Sequence, residues 1–157
     1  MSESERCYAT AMRILQHRWN SATELRRKLS RKEFDADTIA TTIERLASEK
    51  WLDEDRFAEA FVRSRIRKRI GPMRIRRELG AAGVDDDVID RALLTYRDAD
   101  GERDTLRELA QKKFAALQRR GEDDDRLRQK LSAYLAQKGF ETSLVIDVVH
   151  EVLRSRG

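Results

Sequence analysis

The chain has 157 residues, of which 39% are charged and 39% aliphatic or aromatic, with one proline and a net charge of +4. Abundant Leu, Ala, Arg, Glu and Lys favour helices, and the regular spacing of Leu, Ile and Val described below excludes a disordered chain. A single cysteine, Cys7, excludes an intramolecular disulfide. No segment reaches the length of a membrane-spanning apolar run, and the start MSESERCYAT lacks an apolar signal core, so a cytoplasmic location is expected.

In chain order, the first amphipathic helix is expected over residues 5–18, where Tyr8, Ala11, Ile14 and Leu15 share a face. Ser21 and Glu24 have the spacing of a capping box. A second helix then carries Leu25 and Leu29. After Phe34, with Asp35 as N-cap, a third carries Ile39, Ile43 and Leu46. The pattern returns fifty residues later. A helix over about 54–70 places Phe57, Ala58, Phe61 and Val62 inward, and Gly71-Pro72 fits a helix end followed by proline in the first helical position. Ile75, Leu79, Val84, Ile89, Leu93 and Tyr96 then repeat the earlier apolar positions, with Asp85 as an N-cap.

A third copy opens with a helix over about 102–120 carrying Leu106, Ala110, Phe114 and Leu117. It continues, at an offset of 56, with Leu131, Leu135, Phe140, Val145, Val149 and Val152. Gly83 recurs there as Gly139, and both suit the left-handed residue that ends a helix; Thr142 is the expected N-cap that follows. The expected fold is all-α: three tandem three-helix (helix-turn-helix-like) repeats over 1–50, 51–100 and 101–157. Units of this size bury little apolar surface alone, so neighbours are expected to stack into an elongated, curved array.

Reactive groups do not converge. His17 and His150 stand near opposite ends without ligand spacing around them, and Cys7 fits a buried helix face. Three acidic triplets, at 53–55, 85–87 and 123–125, fall where helices begin and negative charge is favoured. None continues as a calcium loop, and no phosphate-binding glycine loop is present. No enzyme activity, cofactor or metal is expected.

Charge is segregated in the middle of the chain. From Ala60 to Arg77 there are eight basic residues and no acidic one. Arg63 and Arg67 are one helical turn apart, as are Arg65 and Arg69, with Lys68 nearby; Arg74, Arg76 and Arg77 begin the next helix. Arg26, Arg27 and Lys28 form the equivalent corner of the first repeat. Such a patch suits phosphates without reading sequence, and equally an acidic protein groove; the bland account is a solvated face. Sequence-specific reading of DNA is disfavoured, because the segment DDDVIDRALL puts acidic residues where a recognition helix would meet the backbone. Trp19 and Trp51 are expected to pack between helices rather than to stack on bases.

The segment WLDEDRFAEAFVRSRIRKRIGPMRIRRELGAAGV resembles the central signature of the RecX family, bacterial regulators of the RecA recombinase. The resemblance lies in Leu52, Asp53, Asp55, Arg56, Phe57 and Ala58, then Phe61, Val62, Ser64 and Arg65. It continues through Gly71, Pro72, Arg74, Ile75, Arg76, Glu78, Leu79, Gly83 and Val84, and ATELRRKL looks like the family's first-repeat motif. Lys50 and Glu54 depart from it, where glycine and aspartate are common. The resemblance implies an all-helical repeat protein without enzymatic activity that binds the RecA–DNA filament, lies in its groove, and restrains RecA's ATPase, strand exchange and filament growth. The implied partners are the RecA filament and the phosphates of single- or double-stranded DNA. The expected contact surface is Arg63, Arg65, Arg67, Lys68, Arg69, Arg74, Arg76 and Arg77, with Arg26 and Arg27. The alternative is a sequence-nonspecific DNA- or RNA-binding repeat protein; a third reading is an adaptor for an acidic protein. Without a heptad seam, a monomer is expected.

Overall fold

The structure, a computed structural model, describes residues 1–96 and 101–155. Nine α-helices run through them: α1 (Glu3–His17), α2 (Ala22–Arg31), α3 (Ala36–Ser48), α4 (Glu54–Arg67), α5 (Pro72–Ala81), α6 (Asp86–Ala92), α7 (Gly101–Arg119), α8 (Asp124–Gln137) and α9 (Thr142–Arg154). No strand occurs among the described residues. The helices form the three three-helix repeats expected from the periodicity. The residues pack as two compact units. One comprises Met1–Phe61 with Glu78–Ala92; the other comprises Val62–Arg77 with the described residues from Leu93 onward. Helices α4 and α5 therefore contribute to both.

Each unit has its own apolar core. In the first, Cys7, Ala11, Leu25, Leu29, Ile39 and Leu46 are buried together. In the second, Leu106, Phe114, Leu131, Leu135, Phe140 and Val149 belong to a cluster built by α7, α8 and α9. These are the residues spaced for one helical face, and each fully buried leucine contributes about 2 kcal/mol. Continuous helix fails in one place. After α6 the chain tightens into a 3₁₀ turn over Leu93–Tyr96, yet Leu93 and Tyr96 stay buried as their spacing requires.

Helix starts follow the expected chemistry, with one correction. The Ser21 hydroxyl accepts from the Glu24 amide (3.0 Å) and the Glu24 carboxylate accepts from the Ser21 amide (3.3 Å). Asp35, Asp53 and Asp123 accept from the amides of Thr38, Arg56 and Arg126 at 3.4, 3.1 and 2.9 Å. At α9, however, the N-cap is Glu141, not Thr142, which is the first helical residue. The Glu141 carboxylate reaches the amides of Ser143 and Leu144 at 3.2 and 3.3 Å, and these hydrogen bonds with that of the Ser143 hydroxyl hold its pKa below the usual carboxylate range.

Helix ends share one device. Residues 33, 50, 69, 83, 121 and 139 all have positive φ, between 60° and 99°. At positions 33, 50, 69 and 83 two backbone bonds close the end, as when Lys50 N donates to Ala47 O (3.1 Å) and Trp51 N to Leu46 O (2.9 Å). Half of the six are glycine; Glu33, Lys50 and Arg69 carry a Cβ in a region that disfavours it. Lys50 stands where the family signature has glycine, and its φ of 66° supplies the reason for that glycine. Replacing it, Lys50→Gly, is expected to raise stability by about 0.5–1 kcal/mol. Urea denaturation measures this, and an unchanged midpoint would count against strain at Lys50. Glu54, the other departure, uses its extra methylene: its half-buried carboxylate accepts from the Ala22 amide at 2.9 Å. Burial raises its pKa.

Candidate functional site

Glycine at two of these ends does more than release strain. In the second unit the α4–α5 turn backs onto the α8–α9 turn, main chain to main chain. Gly71 N donates to Lys138 O (2.7 Å) and Met73 N to Gly139 O (3.0 Å). A Cβ on Gly71 would lie 2.4 Å from the carbonyl of Gly139, and one on Gly139 would lie 2.2 Å from the Cβ of Arg74. The buried hydroxyl of Tyr96 donates to Ile70 O in the same turn, and burial pushes its pKa up to about 12. The first unit repeats the arrangement: Ser21 Oγ donates to Ala82 O (2.6 Å), and a Cβ on Gly83 would fall 2.1 Å from Thr23 Oγ1. Each time, the start of a repeat's second helix is seated on the helix–helix turn of the following repeat.

The basic run is thereby mounted on a turn pinned from two sides. All eight of its basic residues, Arg63 to Arg77, belong to the second unit, but they play different parts. Arg63 and Arg67 are exposed one turn apart on α4, and Lys68 is exposed at its end. On α5 Met73 and Arg77, again one turn apart, are exposed. Arg65, Arg69, Arg74 and Arg76 are half-buried. Arg69, at φ 60°, turns its guanidinium to Glu108 of α7 (3.2 Å). Arg67, Lys68 and Arg77 make no ion pair among the described residues. They are the part of the run most open to an external anion.

The corner in the first repeat is partly committed to structure. Arg27 donates to Ala81 O (3.2 Å), and the Lys28 ammonium to Asn20 Oδ1 (2.6 Å), with burial lowering the lysine's pKa. Arg26 is exposed. The tryptophans divide: Trp19 is half-buried under the Arg56 guanidinium, 5.7 Å from the ring centroid, whereas Trp51 is 48% exposed and so corrects the expectation that it packs between helices. It follows the left-handed Lys50, where the chain turns outward from the helix end.

Sequence reasoning missed a neighbouring cluster. On α8 the half-buried Tyr134 ring has the Lys113 ammonium of α7 at 4.9 Å and the Lys138 ammonium at 5.7 Å from its centroid. Separated by up to 25 residues in sequence, the three carried no local signal. Elsewhere, His150 lines an open groove of about 400 Å³ with Arg103, Asp147 and Glu151. Among the described residues no group of three or more His, Cys, Asp or Glu is placed to hold a metal ion, and no helix is long and apolar enough to cross a membrane.

Comparison with known proteins agrees with this layout repeat by repeat. Residues 7–46, 53–93 and 100–149 match the models of the first, second and third three-helix domains of RecX. The chain is 34% identical to regulatory protein RecX of Chlorobium phaeobacteroides over 98% of both chains. It is 35% identical over 94% of its length to that of Oceanobacillus iheyensis, of which it spans only 53%. The crystal structure of RecX from Lactobacillus salivarius has the same fold, with a TM-score of 0.80 over 96% of both chains at 22% identity. Three domain models matched in the order of the three repeats, and a relative matched along nearly its whole length, place this chain in the RecX family of regulatory proteins.

Proposed function

We propose that this protein binds the RecA–DNA filament and restrains RecA's ATPase, strand exchange and filament growth, working as a monomer without a cofactor. Membership of a family of regulatory proteins supports the regulatory role. The observation that carries the binding reading is the basic run on its pinned turn. Three exposed cations without carboxylate partners, Arg67, Lys68 and Arg77, are held on main chain that does not have to be ordered on binding. Guanidinium and ammonium groups so placed suit the phosphates of a filament groove, and acidic side chains of RecA equally. Action is steric and electrostatic: the bound protein occupies the groove that incoming DNA needs.

Co-sedimentation with preformed RecA filaments on single-stranded DNA, beside bare DNA at physiological salt, tests the reading. Enrichment on filaments with suppressed ATPase is the expected result. Equal binding to bare DNA, with RecA affected only when DNA is scarce, replaces it with the general nucleic-acid binder.

A further inference from the structure

We infer that Lys113, Tyr134 and Lys138 form a clamp for single-stranded nucleic acid, in which the two ammonium groups take a backbone phosphate and the tyrosine ring takes a base. The inference rests on the nucleic-acid part of the proposed function and extends that surface into the third repeat.

Two cations brought by separate helices converge on one ring, at 4.9 and 5.7 Å. The chain has 29 acidic residues, yet neither Lys113 nor Lys138 makes an ion pair among the described residues. An anion bound between them relieves their repulsion. The Tyr134 ring is packed on its inner side against the core of the third repeat, which fixes it, and its hydroxyl finds no protein partner among the described residues. Each ammonium rides a flexible four-carbon stem and swings from ring to phosphate, leaving the ring to a base. Every base has a π-face, so the contact tolerates any sequence. A duplex keeps its base faces stacked inside, so only a single strand engages the ring.

The cluster also adjoins the basic run. Lys138 O accepts from Gly71 N at 2.7 Å, and the backbone of Arg74 lies where a Cβ on Gly139 would point, its nitrogen 2.8 Å from that position. Lys138 is thereby joined through its main chain to the turn that carries the basic run. Glu108 borders this surface, paired with Arg69 at 3.2 Å, so its charge is already offset.

The test is fluorescence anisotropy of the full-length protein with a labelled oligothymidine and a duplex of equal length, across a salt series. Thermal melts check that each variant folds. K113Q/K138Q is expected to bind the single strand about 10-fold more weakly at physiological salt, with a log–log salt slope shallower by about 0.7, because the phosphate the two cations share is no longer neutralised. Tyr134→Leu is expected to weaken single-strand binding about 10-fold and leave duplex binding unchanged; Tyr134→Phe, which keeps the ring, should bind like the parent. Parent-like affinity and slope in K113Q/K138Q overturn the clamp, as does a parent protein that binds no single strand, or a Tyr134→Leu variant that weakens strand and duplex alike. Charge reversal at Arg67, Lys68 and Arg77 runs in parallel. If it abolishes binding while the clamp variants do not, the clamp fails and the proposed function stands. If it too changes nothing, on strand or filament, the basic surface itself is the wrong assignment.

Discussion

Gly139→Ala is expected to lower stability by about 2–5 kcal/mol, combining a strained φ with overpacking. That is a large share of the roughly 5–15 kcal/mol that holds a protein of this size together. At φ 99° alanine is strained whatever its surroundings, and its Cβ would lie 2.2 Å from the Cβ of Arg74 and 2.8 Å from the Arg74 nitrogen. Neither neighbour is the far end of a flexible side chain, so relief requires moving the start of α5. Gly71→Ala should behave similarly, because its Cβ would meet main-chain atoms of Gly139 at 2.4 Å. Gly80→Ala is the control. That glycine lies inside α5 with nothing within 4 Å of its Cβ position, so alanine should stabilise by about 0.5–1 kcal/mol. Chemical denaturation of the three variants yields opposite signs if the turn-on-turn junction is as described. A Gly139→Ala variant as stable as the parent would falsify it.

Simultaneous reversal of Arg67, Lys68 and Arg77 to glutamate is expected to weaken binding to RecA-coated single-stranded DNA by about 10²–10³-fold, with the fold intact. Removing one charged hydrogen bond at such a surface costs about 1–1.5 kcal/mol, and three of them together give that range. These three are chosen over the half-buried members of the run because they are exposed and make no ion pair among the described residues; reversing Arg69 would also leave Glu108 facing a like charge. Circular dichroism should be unchanged, since none of the three touches a core. The salt dependence of residual binding should become shallower by about 0.7 for each single-strand phosphate the variant no longer neutralises. A folded variant with undiminished affinity for the filament assigns the surface elsewhere.

Much of this architecture is legible in the residue pattern, and particular residues show why. Leu25, Leu29, Ile75, Leu79, Leu131 and Leu135 declare their helices and inner faces through spacing alone, and all are buried. Ser21 with Glu24, and Pro72 after Gly71, mark helix starts because capping is chemistry among residues two to four apart. The run from Ala60 to Arg77 stands out because charge of one sign over eighteen residues needs no partner to be visible. Thr142 is not the cap that its type suggests, because glutamate and threonine in succession can each fill that role, and only the backbone path after Phe140 selects Glu141.

The sequence by itself determined what each segment does locally: where helices start, which faces are apolar, that the motif is written three times, and where basic charge gathers. Those follow from interactions within a few turns of chain. Only the tertiary structure decided that Gly71 and Gly139 meet across 68 residues, that Tyr96 pins the carbonyl of Ile70, that Arg69 is paired to Glu108, and that Lys113 and Lys138 share the ring of Tyr134. Those contacts arise from how helices far apart in sequence pack together. A residue's burial and charge partners are set by neighbours that local periodicity does not encode.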